Sequence, residues 1–224
     1  MSRFVLLALA GVGCGYGWAG VPVESPPPPK ADPPAFEAEL KDVAAKYAAW
    51  GRVDDLHRWA PELCRVPPPP SARFSASKDE ATHGKKLYSV FAKDRHAYAK
   101  IAKLKTAPVG QIVVKQSWVP EEVSGKEAET ARVNADKAAK ELPIGREFNP
   151  YVIRDGKVYK AAKQSDLFVM LKLDPATSNT DHGWVYGTVT PDGKTATSGG
   201  RVESCMKCHT EAKTDRLFGM YPEK

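Results

Sequence analysis

Five residues near the end of the chain, Cys205-Met206-Lys207-Cys208-His209, constrain the fold more than any other feature. Two thiols separated by two residues share one helical turn, where each can add to a porphyrin vinyl group, and the histidine after them is carried beneath the iron. The spacing therefore predicts one covalently bound haem c, with Cys205 and Cys208 as thioether donors and His209 as the proximal iron ligand. Only fifteen residues follow His209. An ordinary small cytochrome c is helical, with this motif early and an axial methionine much later. Here the motif comes after the strands.

Rival readings of the motif need residues elsewhere. A zinc site would draw on Cys64 or on the scattered His57, His83, His96 and His182, and adjacent Cys208 and His209 suit one tetrahedron poorly. A redox dithiol would leave His209 incidental and lacks the strand-then-helix setting usual for such sites. A sixth ligand from Met220 would require the tail to turn back across the haem, while Met206 lies inside the attachment loop. Without a sixth ligand the distal side is open to a small molecule, and that is the expectation carried forward.

The first twenty residues, "MSRFVLLALAGVGCGYGWAG", place Arg3 before an apolar stretch over residues 4–12 that is too short to span a bilayer. This predicts an export signal over residues 1–20, either a lipoprotein signal ending at Cys14 or one cleaved near Ala19 or Gly20. The protein is then expected to be periplasmic or membrane-anchored, where cytochrome c assembly takes place. Cys64 is left as a lone thiol, packed as a small hydrophobe or reactive.

Nineteen prolines, many in the first third of the 224 residues, delay the start of a packed core. Residues 21–34 form a Pro-rich tether. Residues 35–74 read as a helical extension, with Phe36, Leu40, Val43, Tyr47 and Trp50 on one stripe, followed by a proline strap at 67–70. The haem domain is expected over residues 75–224. Its fold class is α+β: a small antiparallel sheet packed with helices and closed by the C-terminal haem motif.

Local signals within it are clear in places. Leu87, Tyr88, Val90 and Phe91 suggest a strand, Asp94 opens a short helix with Tyr98, Ile101 and Leu104, and "PVGQIVVKQSWV" is a turn leading into a β-branched strand. Residues 121–142 favour helix by composition but lack an apolar stripe, which implies a solvent-covered helix or an insertion. "YVIRDGKVYKA" is a hairpin about Asp155-Gly156, and "DLFVMLKL" and "GWVYGTVTPDGKTAT" supply further strands, the last two joined by a turn at residues 191–194. The formal charge of +6, from 33 basic and 27 acidic residues, shows no dense basic run interleaved with aromatics. Nucleic-acid binding is therefore unsupported, whereas a basic surface suits an acidic redox partner or an anion.

Taken together, "HGKKLYSVFAKDRHAYAK", "PVGQIVVKQSW", "DHGWVYGTVTPDGK" and "CMKCH" resemble the cytochrome P460 family, whose relatives include the β-sheet form of cytochrome c-prime. The likeness covers roughly residues 75 to 220. It implies an antiparallel sheet carrying the c-type haem, hydroxylamine oxidation in P460 members, nitric oxide as ligand or reactant, and a covalent bond from a lysine nitrogen to a porphyrin meso carbon. The c-prime relatives lack that bond and bind diatomic gases behind an apolar cap. Dimerisation is also common among these relatives, so a homodimer is expected by resemblance.

The resemblance makes Lys115 the candidate for the extra bond, with Lys85 and Lys86 as competitors. Alternation puts Val113, Lys115 and Ser117 on one face and Ile112, Val114 and Gln116 on the other, and either face could meet the haem. Phe168 with Met170, and Trp184 with Tyr186, wall the pocket or fill the core. Glu147, Asp155, Asp181 and Glu203 are available as a base, and none has a neighbour pattern that singles it out. Three functions follow: an enzyme oxidising hydroxylamine or a related small nitrogen compound and passing electrons to an acceptor cytochrome or other redox protein; a binder of nitric oxide; and a simple electron carrier.

Overall fold

The computed structural model describes residues 33–53, 72–75, 84–140, 149–212 and 214–219, with only the backbone of 135–140. The export segment with Cys14, most of the tether, Cys64, the strap at 67–70, His57, His83, Glu147 and Met220 lie outside the described residues.

Seven described strands form one antiparallel sheet in the order β1-β2-β3-β5-β6-β7, with β4 hydrogen-bonded to β5. They are β1 (Arg73–Phe74), β2 (Leu87–Ala92), β3 (Ile112–Val123), β4 (Tyr151–Arg154), β5 (Lys157–Lys172), β6 (Trp184–Val189) and β7 (Ala196–Gly200). The α+β expectation holds: among the described residues five α-helices accompany the sheet, α1 (Glu37–Lys46), α2 (Arg95–Ala99), α3 (Ile101–Leu104), α4 (Gly125–Lys140) and α5 (Glu203–His209). None is long and apolar enough to cross a membrane.

Two segments read as separate strands, "KVYKA" and "DLFVMLKL", are one sixteen-residue strand, β5. The polar residues between them do not end the strand, because β3 pairs with β5 on both sides of two register shifts that fall opposite them, and β4 and β6 pair with its two ends on the other side. Pro120 sits inside β3, where the ladder to β5 shifts register between Val119 and Pro120. A bulge tolerates the missing N–H there, so the strand continues to Val123 instead of yielding to helix at residue 121. The helix after it is not bare of apolar contact either. Ala128 and Ala131 pack on Val158, small side chains that leave no stripe in the sequence. Between β4 and β5, Asp155 and Gly156 both have positive φ, 51° and 75°, the geometry of a two-residue hairpin turn.

The sheet has an apolar core on each face. On one, Phe91, Ile112, Val114, Leu167, Val169, Leu171, Val185 and Val189 are covered by Leu40, Val43 and Tyr47 of α1 and the 3₁₀ turn Tyr47–Trp50. The stripe that reads as an extension thus lies over the sheet and completes its core. Close approach there depends on glycine: a Cβ on Gly199 would strike the Ala35 carbonyl, and one on Gly187 would enter Leu40. On the opposite face lie Ala92, Val113, Met170, Trp184 and Tyr186, with Tyr98 and Ile101 of α2 and α3, Leu217 of the tail, and Cys205 and Met206 of α5.

Candidate functional site

Register decides which side of the sheet meets the Cys-x-x-Cys-His helix. Lys115 pairs with Val90 on β2 and Phe168 on β5, Val113 pairs with Met170, and Met170 pairs with Tyr186. Directly opposed residues point to the same face, so Val113, Lys115, Phe168, Met170 and Tyr186 share one surface, and α5 packs on that surface through Cys205 and Met206. Of the two faces of β3, the one carrying Val113, Lys115 and Ser117 is the one on which α5 packs.

Helix α5 is a seven-residue turn of chain beginning after Val202, with backbone bonds from Cys205 and Met206 to the Val202 carbonyl. Both cysteines are free thiols and half-buried. Burial raises the Cys205 thiol above its ordinary value, the effect of a small group set against Tyr186 and its neighbours. His209 is held by its other end. Nδ1 lies 2.7 Å from the Arg216 carbonyl, so Nδ1–H donates to that oxygen and Nε2 is the nitrogen left to face a metal. The ring stands 5.5 Å from Tyr186 and 5.4 Å from Phe218 between centroids. Burial lowers the basicity of His209, which favours the neutral imidazole that a metal ligand must be.

The Arg216 carbonyl is in turn placed by a hairpin in the tail. Asp215 and Arg216 have φ of 42° and 65°, and Leu217 N donates to the Thr214 carbonyl at 2.8 Å. Two non-glycine residues in the left-handed region are held there only by strong surroundings. The Asp215 carboxylate accepts from Ala107 N at 2.7 Å, Lys172 Nζ at 3.0 Å and Trp184 Nε1 at 3.1 Å. Lys172 also donates to the His182 carbonyl, at 2.9 Å. The Lys172–Asp215 pair is almost closed to solvent. Arg216 grips Asp181 with two bonds, 2.8 and 3.2 Å, and Tyr186 OH donates to the same carboxylate at 3.1 Å. Burial works against the Asp181 charge, but the Arg216 and Tyr186 bonds outweigh it and hold the carboxyl below its ordinary value.

The sequence missed this scaffold. Lys172, Asp215 and Arg216 carry no motif, and "TDRLF" contains no glycine to announce a left-handed turn. Asp181 appeared only among the bases, yet it is committed to Arg216. Of the other carboxylates, Asp155 tips an exposed hairpin and Glu203 is exposed in the first turn of α5. Trp184 is wholly buried over Lys172 and against Asp215, so it supports the tail from below. Tyr186 does likewise for His209.

Lys115 differs from the two lysines competing with it. Lys85 is exposed on a left-handed turn, and Lys86 lies with Nζ 5.1 Å from the Phe168 ring centre. Lys115 Nζ sits 4.1 Å over the Tyr88 ring and 3.3 Å from Ser75 Oγ. Burial first, and the Lys86 charge second, bring its pKa down to about 8. Its charge also bears on His209. The donor set on this face, two free thiols on one turn and an imidazole with Nδ1 already engaged, fits a c-type haem.

A family model for cytochrome P460 matches residues 71–219, which takes in the whole sheet, α5 and the tail hairpin. No curated protein matches the chain.

Proposed function

Because the chain belongs to the cytochrome P460 family of c-type haem proteins, we propose that it oxidises hydroxylamine or a related small nitrogen compound at a haem on the Lys115 face of the sheet. In this reading Cys205 and Cys208 hold one haem through thioether bonds and His209 Nε2 is its proximal ligand. The haem would supply an iron that binds the substrate and an electron sink for its oxidation. The Arg216 carbonyl orients the imidazole and sets its tautomer. Tyr186 and Phe218 flank the ring.

The observation that carries the proposal is the setting of Lys115. It is a lysine turned inward on the same face as the motif, over Tyr88 and opposite Phe168, with a neutral amine available near physiological pH. A merely solvated lysine has no need of that environment. Such an amine is the group required for the lysine-to-porphyrin bond that the family resemblance implies.

Three measurements test it. The denatured protein should weigh one haem more than the polypeptide, and the Cys205→Ala/Cys208→Ala variant should not. The ferrous Soret band should lie well to the red of an ordinary c haem, and Lys115→Ala should return it to the ordinary position together with loss of hydroxylamine oxidation. An ordinary high-spin spectrum in the wild type that responds to nitric oxide would instead support the gas-binding function, and low-spin iron indifferent to ligands the electron carrier.

A further inference from the structure

Resting on that reading, in which electrons must leave the protein, we infer that the segment 93–110, with α2 and α3, is the docking face for an acidic one-electron acceptor protein. The segment holds Lys93, Arg95, Lys100, Lys103 and Lys105 against one acid, Asp94, a net +4 within a chain whose formal charge is +6. Asp94 is occupied as the cap of α2, accepting from Ala97 N at 2.9 Å. Lys93, Lys100, Lys103 and Lys105 are exposed. Lys103 and Leu104 lie three and four residues after Lys100 and both donate backbone bonds to its carbonyl, so they lie beside it on one turn. Leu104 is 48% exposed and Val109 is 63% exposed, two large apolar side chains at the surface of a segment with a net positive charge. Apolar contact with a charged rim is the usual anatomy of a transient interface.

What separates this face from a merely solvated basic patch is its connection to the haem motif. Ala107, between Lys105 and Val109, donates to Asp215 Oδ2 at 2.7 Å, and the peptide that follows Asp215 leads to the Arg216 carbonyl, which accepts from His209 Nδ1 at 2.7 Å. Two hydrogen bonds, with the side chain of Asp215 and the backbone of Asp215 and Arg216 between them, thus join His209 to the patch. Tyr98 OH, donating to the Gly219 carbonyl at 3.1 Å, ties α2 to the same tail. An acceptor seated here would take one electron through this route, the haem protein being oxidised and the acceptor reduced by one electron, with no bond made or broken. Its chemistry is set by the face: a negative patch about an apolar centre.

The test uses the haem-loaded protein with a strongly acidic monohaem cytochrome c as probe, a basic one as its opposite, and calorimetric and NMR titrations as readouts. The acidic probe should bind, the basic one should not, and raising salt from about 0.02 M to about 0.5 M should weaken binding at least tenfold as the Debye length contracts. Lys100→Glu/Lys103→Glu/Lys105→Glu should weaken it by about as much, and Leu104→Ser/Val109→Ser should weaken it without altering the salt slope. Lys126→Glu/Lys194→Glu, on exposed lysines outside the segment, should leave it unchanged. Equal loss in that control, salt-insensitive binding, or a segment needed only for anionic lipid vesicles would overturn the proposal. Substrate oxidation with a small uncharged dye as acceptor is measured alongside. Turnover with the dye but no binding of the acidic probe rejects the docking face alone, and binding without turnover rejects the enzymatic reading alone.

Discussion

Lys115 is where a single side chain has most to say. Its pKa, about 8 against an ordinary 10.5, means that the charged form is disfavoured in the fold, chiefly by burial and then by Lys86. Between those values the unfolded chain holds the proton that the folded chain has released. Stability of the haem-free chain should therefore rise with pH across that window and carry the whole penalty below it. Urea unfolding at several pH values should show the rise in the wild type and lose it in Lys115→Met. A rise undiminished in the variant would assign the effect to another group.

Among the elements, the tail hairpin is the one under greatest demand. It keeps two non-glycine residues at positive φ so that one carbonyl reaches His209, and it does so through the buried Lys172–Asp215 pair and the Arg216–Asp181 clasp. Removing one partner of a buried pair strands the other, so Asp215→Asn or Lys172→Met should destabilise the protein by about 3–5 kcal/mol, whereas a double replacement by apolar residues should cost less. Thermal unfolding reads the first effect. The hold on the imidazole is read by the iron–histidine stretching band of the haem-loaded protein, since Asp181→Asn loosens the Arg216 carbonyl and should shift that band even where stability changes little. The contact of α1 with β7 makes a similar claim from the other face. In Gly199→Ala the new methyl meets the backbone oxygen of Ala35, which cannot turn aside as a side chain can. A loss of roughly 1–3 kcal/mol in denaturant unfolding is expected.

For the whole molecule, the sheet works as a partition. One face is covered by α1, and the other carries the Cys-x-x-Cys-His helix, where the proposed haem would lie. Deleting residues 33–53 should expose the first face to water and leave a chain that binds ANS and unfolds without cooperativity. A cooperative, full-length-like transition in that deletion would mean that α1 adds nothing to the core. Much of this was legible beforehand: the motif, the α1 stripe, the Asp155-Gly156 hairpin and the strands about Lys115 all rest on spacing or alternation, which neighbouring residues set by themselves. What spacing could not reveal was the continuity of β5 through polar residues or the role of Asp181, because both depend on partners distant in the chain. Local geometry, then, determined that Cys205, Cys208 and His209 stand together on one turn. Only the tertiary structure decided that Lys115 shares their face of the sheet and that Arg216 holds the imidazole, since strand register and a buried network, whose contacts on Asp215 alone span 31 to 108 positions, join residues distant in the chain.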